Sequence, residues 1–234
     1  MLTIIVPVYN EKNSLSKILK KLLKIRLKKI QIIIVDDGSN DGSTKLLKRK
    51  FLKNKRIDKI IFHNKNSGKG SAIKSAQKFI KGKYVVIQDA DLEYDPNDLI
   101  KIYDYINKKK IKVVYGSRVL NKNKYQNTKN FTHLIRIWGN ILLTAVSNLI
   151  NNQKLTDAHT CYKMFEAKIF KKINLKEKGF AFCPEVTTKL SKKNYKIVEV
   201  PISYKGRTYD KGKKITSIDG LIALFCLIKY RLVD

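Results

Sequence analysis

Two hydrophobic patterns alternate along the first half of the chain. Short runs of β-branched and aromatic residues are typical of buried strands, and the segments between them carry apolar residues every three or four positions, as amphipathic helices do. Strands that alternate with helices favour a mostly parallel sheet flanked by helices, so the predicted fold class is α/β. The predicted strands are residues 3–9, 31–37, 57–64, 84–87 and 112–117.

The first helical segment shows the pattern most clearly. Its apolar residues recur on one helical face, and Asn13 or Ser14 is the candidate N-terminal cap. These apolar residues are Leu15, Ile18, Leu19, Leu22 and Leu23.

From Phe131 onward the regular alternation stops. The pattern there predicts one long helical segment, an irregular stretch over 157–165, a short helix near Pro184, a strand over 197–203 and a closing amphipathic helix over 217–231. A chain of 234 residues with 43% hydrophobic content can bury one full core, and no repeat or linker divides it. We therefore expect a single domain over residues 1–234.

The composition adds a strong positive charge. Fifty Lys and Arg residues against 19 Asp and Glu give a formal net charge of +31, which is the footprint of a nucleic-acid-binding module. The lysines are spread over nearly every predicted helix, however, and such a module would not need the acidic residues described below. An anionic membrane surface would be attracted by the same charge, and we expect that partner rather than a specific nucleic acid.

The cellular location follows from what the pattern lacks. Residues 3–8 are apolar but have no basic segment before them and no small-residue cleavage site after them, so no secretory signal is predicted. The late apolar run 221–228 is too short to span a bilayer. Three widely spaced cysteines offer neither a disulfide framework nor metal-ligand spacing. We expect a cytoplasmic protein, peripheral at the cytoplasmic face of a membrane.

Acidic residues follow the fourth predicted strand at every second position. Residues 87–96 read IQDADLEYDP, and strand alternation would put Asp89, Asp91 and Glu93 on one side, roughly 7 Å apart. At an effective dielectric constant of about 20 each like-charge pair would cost on the order of 2 kcal/mol, which a cation would remove. Carboxylates suit Mg²⁺ or Mn²⁺, and such ions are held by one or two carboxylates plus substrate phosphates. The pair Asp89 and Asp91 therefore predicts a diphosphate ligand, and a nucleotide-sugar is the natural candidate.

Polar residues also follow the first three predicted strands, at residues 7–11, 36–42 and 66–70. Open parallel sheets hold their ligands at this edge. Known phosphate and metal motifs do not explain these segments, because Lys69 is not followed by Ser or Thr as a P-loop requires, and neither acidic loop has EF-hand spacing.

In order along the chain, these segments resemble glycosyltransferase family 2, and most closely its dolichyl-phosphate mannose synthase and polyprenyl-phosphate sugar transferase branch. The motifs that carry the resemblance are VPVYNE at 6–11, IVDDGS at 34–39, GKG at 68–70, QDADLE at 88–93, GSR at 116–118 and PISYKGRTY at 201–209. The resemblance implies a GT-A fold, a divalent metal, a GDP- or UDP-sugar donor and inversion at the anomeric carbon.

The resemblance also implies roles for individual residues on the donor side. Residues at the ends of the first two strands would line the nucleobase and ribose pocket, and Asp37 would bond the base or the ribose. Asp89 and Ala90 would contact the ribose and the diphosphate, and Arg118 would be a basic residue on the donor side. The donor-side residues are Pro7, Tyr9, Glu11, Val35, Asp37, Lys69, Asp89, Ala90 and Arg118.

For the metal, the resemblance makes Asp91 the principal ligand, with Asp89 and Glu93 in support. Arg207 and Lys213 have the spacing of an arginine and a lysine that hold phosphates in a loop, here residues 203–216. Guanidinium can grip phosphate with two hydrogen bonds, and ammonium supplies a point charge. Asp89, Asp91, Arg207 and Lys213 are accordingly the predicted catalytic residues.

Two acceptors remain open. A polyprenyl phosphate is already anionic and needs no general base, whereas a hydroxyl of a surface glycan or glycolipid needs a carboxylate to accept its proton. Asp157 is the first candidate base and Glu185 the second. The closing helix, with basic residues on both sides, can either lie among lipid headgroups or pack on the domain, and a membrane protein partner would be the other route to a lipid.

Overall fold

The computed structural model describes residues 1–120, 131–207, 212–214 and 216–233 of the chain. Seven segments pair in one sheet. They are β1 Leu2–Val8, β2 Ile30–Asp36, β3 Lys59–Phe62, β4 Tyr84–Ile87, β5 Val113–Ser117, β6 Lys163–Glu166 and β7 Ile197–Pro201. Part of the predicted phosphate loop over 203–216 lies outside the described residues, namely 208–211 and 215, and with it the end of the 201–209 motif.

Helices connect most of these strands. The first four alternate with the strands as the sequence predicts, and the later ones cluster near the C-terminus. The helices among the described residues are α1 Lys12–Leu23, α2 Ser43–Lys50, α3 Lys69–Gln77, α4 Asp98–Lys109, α5 Phe131–Asn151, α6 Ala167–Lys171, α7 Phe182–Lys192 and α8 Ser217–Val233.

The sheet has the strand order β3-β2-β1-β4-β6-β5-β7. Parallel pairing joins β1 to β2 and β4, β2 to β3, and β5 to β7, whereas β6 runs antiparallel to both of its neighbours. Strands covered by helices on both faces must be apolar throughout, and the central strands β1, β2 and β4 are almost entirely buried. The predicted α/β fold with a mostly parallel sheet is confirmed.

The predicted irregular stretch over 157–165 is wrong at its C-terminal end, where β6 begins at Lys163. A buried lysine breaks the hydrophobic pattern of a strand. The protein tolerates Lys163 because its ammonium donates to the backbone oxygens of Thr160 at 2.5 Å and Ala158 at 2.9 Å.

The predicted cap of the first helix is also wrong. Helix α1 begins at Lys12, so Glu11 occupies the N-cap position and both Asn13 and Ser14 lie in the first turn. The Ser14 hydroxyl instead donates to the Glu11 carboxylate at 2.6 Å. This bond helps to fix the orientation of Glu11 at the end of β1.

Helix α8 packs against α7 and α5. Its inner face is buried through Ala223, Cys226, Leu227 and Tyr230. None of the helices in the described ranges combines the length and the apolar character that crossing a bilayer requires.

Candidate active site

The carboxyl ends of β2, β1 and β4 lie side by side at one edge of the sheet. The residues that follow these strands therefore converge, as the sequence predicts for an open parallel sheet. The acidic segment after β4 does not continue as a strand, however, because β4 ends at Ile87 and Leu92 has a φ of 64°. The predicted row of Asp89, Asp91 and Glu93 on one side of a strand is therefore wrong: a turn gives each of them different partners.

Asp89 is neutralised by a lysine. The Lys69 ammonium, at the start of α3, lies 2.6 and 2.8 Å from the two oxygens of the Asp89 carboxylate. Burial alone would lower the pKa of Lys69 and raise that of Asp89, but their mutual attraction reverses both directions. The thiol of Cys161 is 3.6 Å from the same ammonium. The sequence does not indicate this role of Cys161, because its contact with Lys69 spans 92 residues.

The glycines beside Lys69 fix its position. Gly68 has a φ of 94°, a conformation that favours glycine. A Cβ atom on Gly70 would lie 2.1 Å from the backbone oxygen of Glu177. The GKG motif is therefore explained by a close approach between the start of α3 and the segment before α7.

Asp91 is the least neutralised of the acids. Its carboxylate accepts the backbone N–H of Glu93 at 3.0 Å and lies 3.4 Å from one terminal nitrogen of Arg207. Burial, with the nearby charges of Asp89 and Glu93, raises the pKa of Asp91 to about 7. The repulsion that a cation would relieve is therefore concentrated on this side chain.

Arg207, on the loop after β7, lies among these carboxylates. Its two terminal nitrogens donate to the two oxygens of Glu11, each at 3.0 Å, and its Nε lies 3.6 Å from Glu93. The backbone N–H of Arg207 also donates to Glu93 at 2.7 Å, and the Tyr204 hydroxyl donates to the other Glu93 oxygen at the same distance. The predicted phosphate-binding arginine is thus held by Glu11, between β1 and α1, and by acids of the segment after β4.

Lys214 joins the same cluster. Its ammonium donates to Glu11 at 2.7 Å and to the backbone oxygen of Tyr9, and it lies 5.6 Å from the centre of the Tyr9 ring. The spacing to Arg207 predicts the phosphate role for Lys213 instead. The contact of Lys214 with Glu11 spans 203 residues, and no local pattern indicates it.

Asp37 faces inward. Its carboxylate accepts the backbone N–H groups of Ser67 at 3.1 Å and Gly68 at 2.7 Å and lies 2.6 Å from Nδ1 of His63. It thereby ties the end of β2 to the loop before α3. Beside it is a cavity of about 740 Å³, lined by Phe62, His63, Asn64, Lys65, Asn66, Ser67, Ser71, Ser75 and Lys178.

Val35 is fully buried inside β2, so its side chain packs in the core. Pro7 is partly exposed in β1. Ala90, between the two aspartates, is buried at the start of the acidic turn. The structure thus brings the ends of β1, β2 and β4 together, but it points some of the predicted donor-side side chains into the core.

Arg118 and Asp157 were predicted separately and form one ion pair. The guanidinium donates to the carboxylate through Nε at 2.6 Å and Nη2 at 2.7 Å, and the backbone N–H of Arg118 adds a bond of 3.1 Å. Burial would raise the pKa of Asp157, but Arg118 overrides that effect and lowers it. A fully buried carboxylate that is stabilised as an anion is poorly suited to accept a proton.

Glu185, the second candidate base, is also fully buried. Its oxygens accept the backbone N–H groups of Lys176 at 2.6 Å and Glu177 at 3.0 Å, and one of them lies 2.8 Å from the ammonium of Lys189. These contacts hold the segment before α7 in place. They account for Glu185 as a structural residue.

The carboxylates of this site can hold a divalent cation only together with a ligand. Among the residues whose positions are described, no three acidic, cysteine or histidine side chains form a group that could hold a metal ion by themselves. Asp91 is nevertheless a partly exposed carboxylate with a raised pKa, and Glu93 is two residues away. This donor set fits an ion held by one or two carboxylates and completed by the phosphates of a ligand.

Comparison with known proteins places these features in a wider group. The family model for glycosyl transferase family 2 matches residues 3–174. The chain is 28% identical to an uncharacterised protein of Methanocaldococcus jannaschii, over 96% of this chain and 99% of that protein. It is 29% identical to the dolichyl-phosphate beta-glucosyltransferase of Saccharomyces cerevisiae, over 94% of this chain and 71% of the yeast protein.

A solved structure shares the architecture. Glucosyl-3-phosphoglycerate synthase from Mycobacterium tuberculosis, in complex with Mn²⁺, uridine diphosphate and glucosyl-3-phosphoglycerate, superposes with a TM-score of 0.65. The superposition covers 100% of this chain and 81% of that protein at 13% identity. At this identity the similarity concerns the fold.

Proposed function

We propose that this chain, which belongs to glycosyl transferase family 2, transfers a sugar from a GDP- or UDP-sugar to a polyprenyl phosphate with inversion at the anomeric carbon. The family model covers residues 3–174, well over half of the chain, so the predicted family and the predicted GT-A fold are confirmed. The chain is therefore a glycosyltransferase, and the acceptor, the stereochemistry and the metal are the proposed details.

One arrangement carries the proposal: Arg207 and Lys214 meet the carboxylate of Glu11 at the end of β1, beside Asp91. The two cationic side chains can bind an anionic ligand such as a diphosphate. The two acids beside them suit the divalent cation that accompanies such a ligand. A donor diphosphate can replace the carboxylates as the partner of the Arg207 guanidinium, since both present paired oxygens. The loop that carries Arg207 would then close on the donor instead of on Glu11.

Asp91 is the proposed principal ligand of a Mg²⁺ or Mn²⁺ ion, supported by Glu93 or Asp89. When bound, the ion would neutralise the charge that develops on the departing nucleoside diphosphate. Lys69 holds Asp89 in one orientation through the 2.6 Å contact. The yeast and mycobacterial proteins give this proposal its chemical precedents, dolichyl phosphate in the name of one and Mn²⁺ with a uridine nucleotide in the other.

The choice of acceptor follows from the carboxylates. Both candidate bases, Asp157 and Glu185, are buried and committed to other partners. A hydroxyl acceptor would need a base, whereas a polyprenyl phosphate supplies an oxygen that is already anionic near neutral pH. The geometry therefore favours the lipid phosphate, and we propose that transfer takes place at the cytoplasmic face of a membrane.

We also propose where the nucleobase of the donor binds. The cavity beside Asp37 is lined mostly by residues with polar groups and lies at the end of β3, next to the convergence of β1 and β2. Asp37 shapes this cavity by holding Ser67 and Gly68 rather than by offering an unbonded oxygen. We assign the nucleobase to this region.

The test uses the purified full chain with Mn²⁺, radiolabelled GDP- and UDP-sugars and a polyprenyl phosphate. We expect label in the organic phase with one class of donor, and NMR of the product to show the inverted anomeric configuration. Label that appears only in a glycan or glycolipid with a new bond to a hydroxyl would overturn the lipid-phosphate acceptor. Retention of configuration would overturn the stereochemistry.

A further inference from the structure

Helix α8 is apolar on two faces. Ala223, Cys226, Leu227 and Tyr230 are buried against the domain. A second stripe on the helix points outward, with exposed fractions between 45% and 68%. Its members recur at helical spacing and are Ile218, Leu221, Ile222, Phe225 and Ile228. Packing on the domain therefore leaves most of the large apolar side chains of α8 exposed.

Helix α5 also carries exposed apolar residues. It packs against α8. The helices approach closely at Gly220, where an added Cβ atom would lie 4.0 Å from the Leu143 side chain. Trp138 and Leu142 on α5 are 69% and 63% exposed, and Ile141 is 42% exposed. Monomeric soluble proteins rarely expose large contiguous apolar patches without a binding role. We call the combined surface the docking face; it consists of Trp138, Ile141, Leu142, Ile218, Leu221, Ile222, Phe225 and Ile228.

We propose that the docking face inserts into the headgroup region of an anionic lipid bilayer. This inference deepens the proposed function and rests on it, because a lipid acceptor gives the surface its purpose. The formal net charge of +31 complements an anionic membrane, and Lys229 and Arg231 lie exposed near the end of α8. Large apolar side chains such as those of Trp138 and Phe225 bind most favourably at this depth when basic residues flank them.

The position of the docking face relative to the site supports the same partner. Helix α8 begins at Ser217, three residues after Lys214, whose ammonium contacts Glu11. A bilayer on the docking face would therefore lie next to the loop that carries Arg207 and Lys214. A lipid-linked phosphate could reach these cations while its chain stays in the membrane.

The experiment is sedimentation of the full chain with sucrose-loaded vesicles of phosphatidylcholine and phosphatidylglycerol, at low and high salt. We expect the wild type to pellet at low salt and to be partly released by salt, since exposed charges are screened beyond about 8 Å at physiological ionic strength. The double variant Leu221→Glu with Phe225→Glu should lower the bound fraction at least about tenfold. The variant Trp138→Glu with Leu142→Glu tests the α5 half in the same way.

The matched control is Leu52→Glu, because Leu52 is 55% exposed and lies outside the docking face. Combined with Lys53→Gln at the neighbouring exposed position, it changes the net charge by −2, as each double variant does, and it should bind vesicles as the wild type does. Circular dichroism and melting curves confirm that all variants are folded. Wild type that fails to pellet at low salt would overturn the proposal, as would docking-face variants that bind like the control.

Sugar transfer separates this inference from the proposed function. A short-chain prenyl phosphate that is soluble without membranes should be used equally by the wild type and the docking-face variants, whereas vesicle-embedded polyprenyl phosphate should be used poorly by the variants. Transfer to the soluble acceptor without vesicle binding overturns the docking face alone. Vesicle binding without transfer to either acceptor overturns the proposed function. A dimer in analytical ultracentrifugation that the double variants abolish, without vesicle binding, would assign the face to a second copy of the chain.

Discussion

Arg207 binds Glu11 with two hydrogen bonds of 3.0 Å across 196 residues of sequence. The pair joins the end of the first strand to the loop after the last one. The Nε atom of Arg207 is buried without a hydrogen-bond partner and faces Glu93 at 3.6 Å. An arginine with an unused donor among carboxylates is suited to exchange them for an incoming diphosphate.

The first prediction concerns this arginine. Arg207→Ala should lower kcat by roughly 100-fold and the affinity for the nucleotide by less, because the proposed closure of the loop on the bound donor affects turnover more than nucleotide binding. Arg207→Lys keeps the charge but loses the paired hydrogen bonds, so its kcat should lie between that of the wild type and that of Arg207→Ala. Steady-state kinetics and nucleotide titration measure both effects. Unchanged turnover of Arg207→Ala would make the loop a structural element only.

The second prediction compares two neighbouring lysines. Spacing to Arg207 assigns the phosphate role to Lys213, whereas the structure places the ammonium of Lys214 on Glu11. If the loop moves from Glu11 to the donor, Lys213→Ala should lower kcat about tenfold or more. Lys214→Ala should change mainly the apparent affinity for the donor, because it removes a contact that competes with closure. The reverse pattern would reassign the phosphate contact to Lys214.

The third prediction concerns Asp91. Asp91→Asn should abolish transfer and weaken metal-dependent donor binding while the chain stays folded, because the substitution relieves repulsion from Asp89 and Glu93. Turnover close to wild type would refute the metal assignment. Isothermal titration of the donor with and without Mn²⁺ gives a readout that does not depend on activity.

The same carboxylate gives the metal-free protein a pH dependence. The folded-state pKa of Asp91, about 7, lies above its ordinary value of 3.8, so this group favours the folded state below pH 4 and loses that contribution as the pH rises through 7. Asp91→Asn should therefore gain stability relative to the wild type between pH 4 and pH 7, by up to about 4 kcal/mol. Denaturant unfolding in EDTA measures this difference. A difference that does not change with pH would contradict the raised pKa.

The sequence predicts the sheet well and the site only in part. Period-two and period-3.6 patterns are local, so β1 to β5 and the acids at their ends can be read from neighbouring residues. Lys163 hides β6 because its charge is satisfied by backbone oxygens that are defined only in the folded chain. The contacts of Arg207 and Lys214 with Glu11 join distant parts of the chain, so spacing within the loop cannot choose between Lys213 and Lys214.

The fourth prediction tests the glycines around Lys69. Gly70→Ala should cost at least about 2 kcal/mol of stability, because the new Cβ would lie 2.1 Å from a backbone oxygen of Glu177 that cannot easily move. Gly179→Ala is the matched control, since a Cβ there meets nothing within 4 Å. It should change stability by no more than about 0.5 kcal/mol. Equal melting temperatures for the two variants would show that the segment before α7 can shift away.

The fifth prediction separates a structural from a catalytic role of Asp157. Asp157→Asn should destabilise the protein by about 3 kcal/mol, because it leaves the buried guanidinium of Arg118 without its counter-charge. The pKa of Asp157 is lowered in the folded state, so this contribution is present above the ordinary value and is lost as the pH falls through the folded-state value. The stability difference between wild type and variant should therefore be constant above about pH 5 and shrink in acid.

Activity decides between the two roles of Asp157. At a temperature where Asp157→Asn is folded, its kcat should stay within about tenfold of the wild type if the residue acts by holding Arg118. The double variant Arg118→Gln with Asp157→Asn should recover part of the lost stability, because it removes both members of the pair. A folded, stable Asp157→Asn whose kcat falls by more than about 1,000-fold would identify a general base. Since only a hydroxyl acceptor requires such a base, that result would also move the acceptor from a lipid phosphate to a glycan.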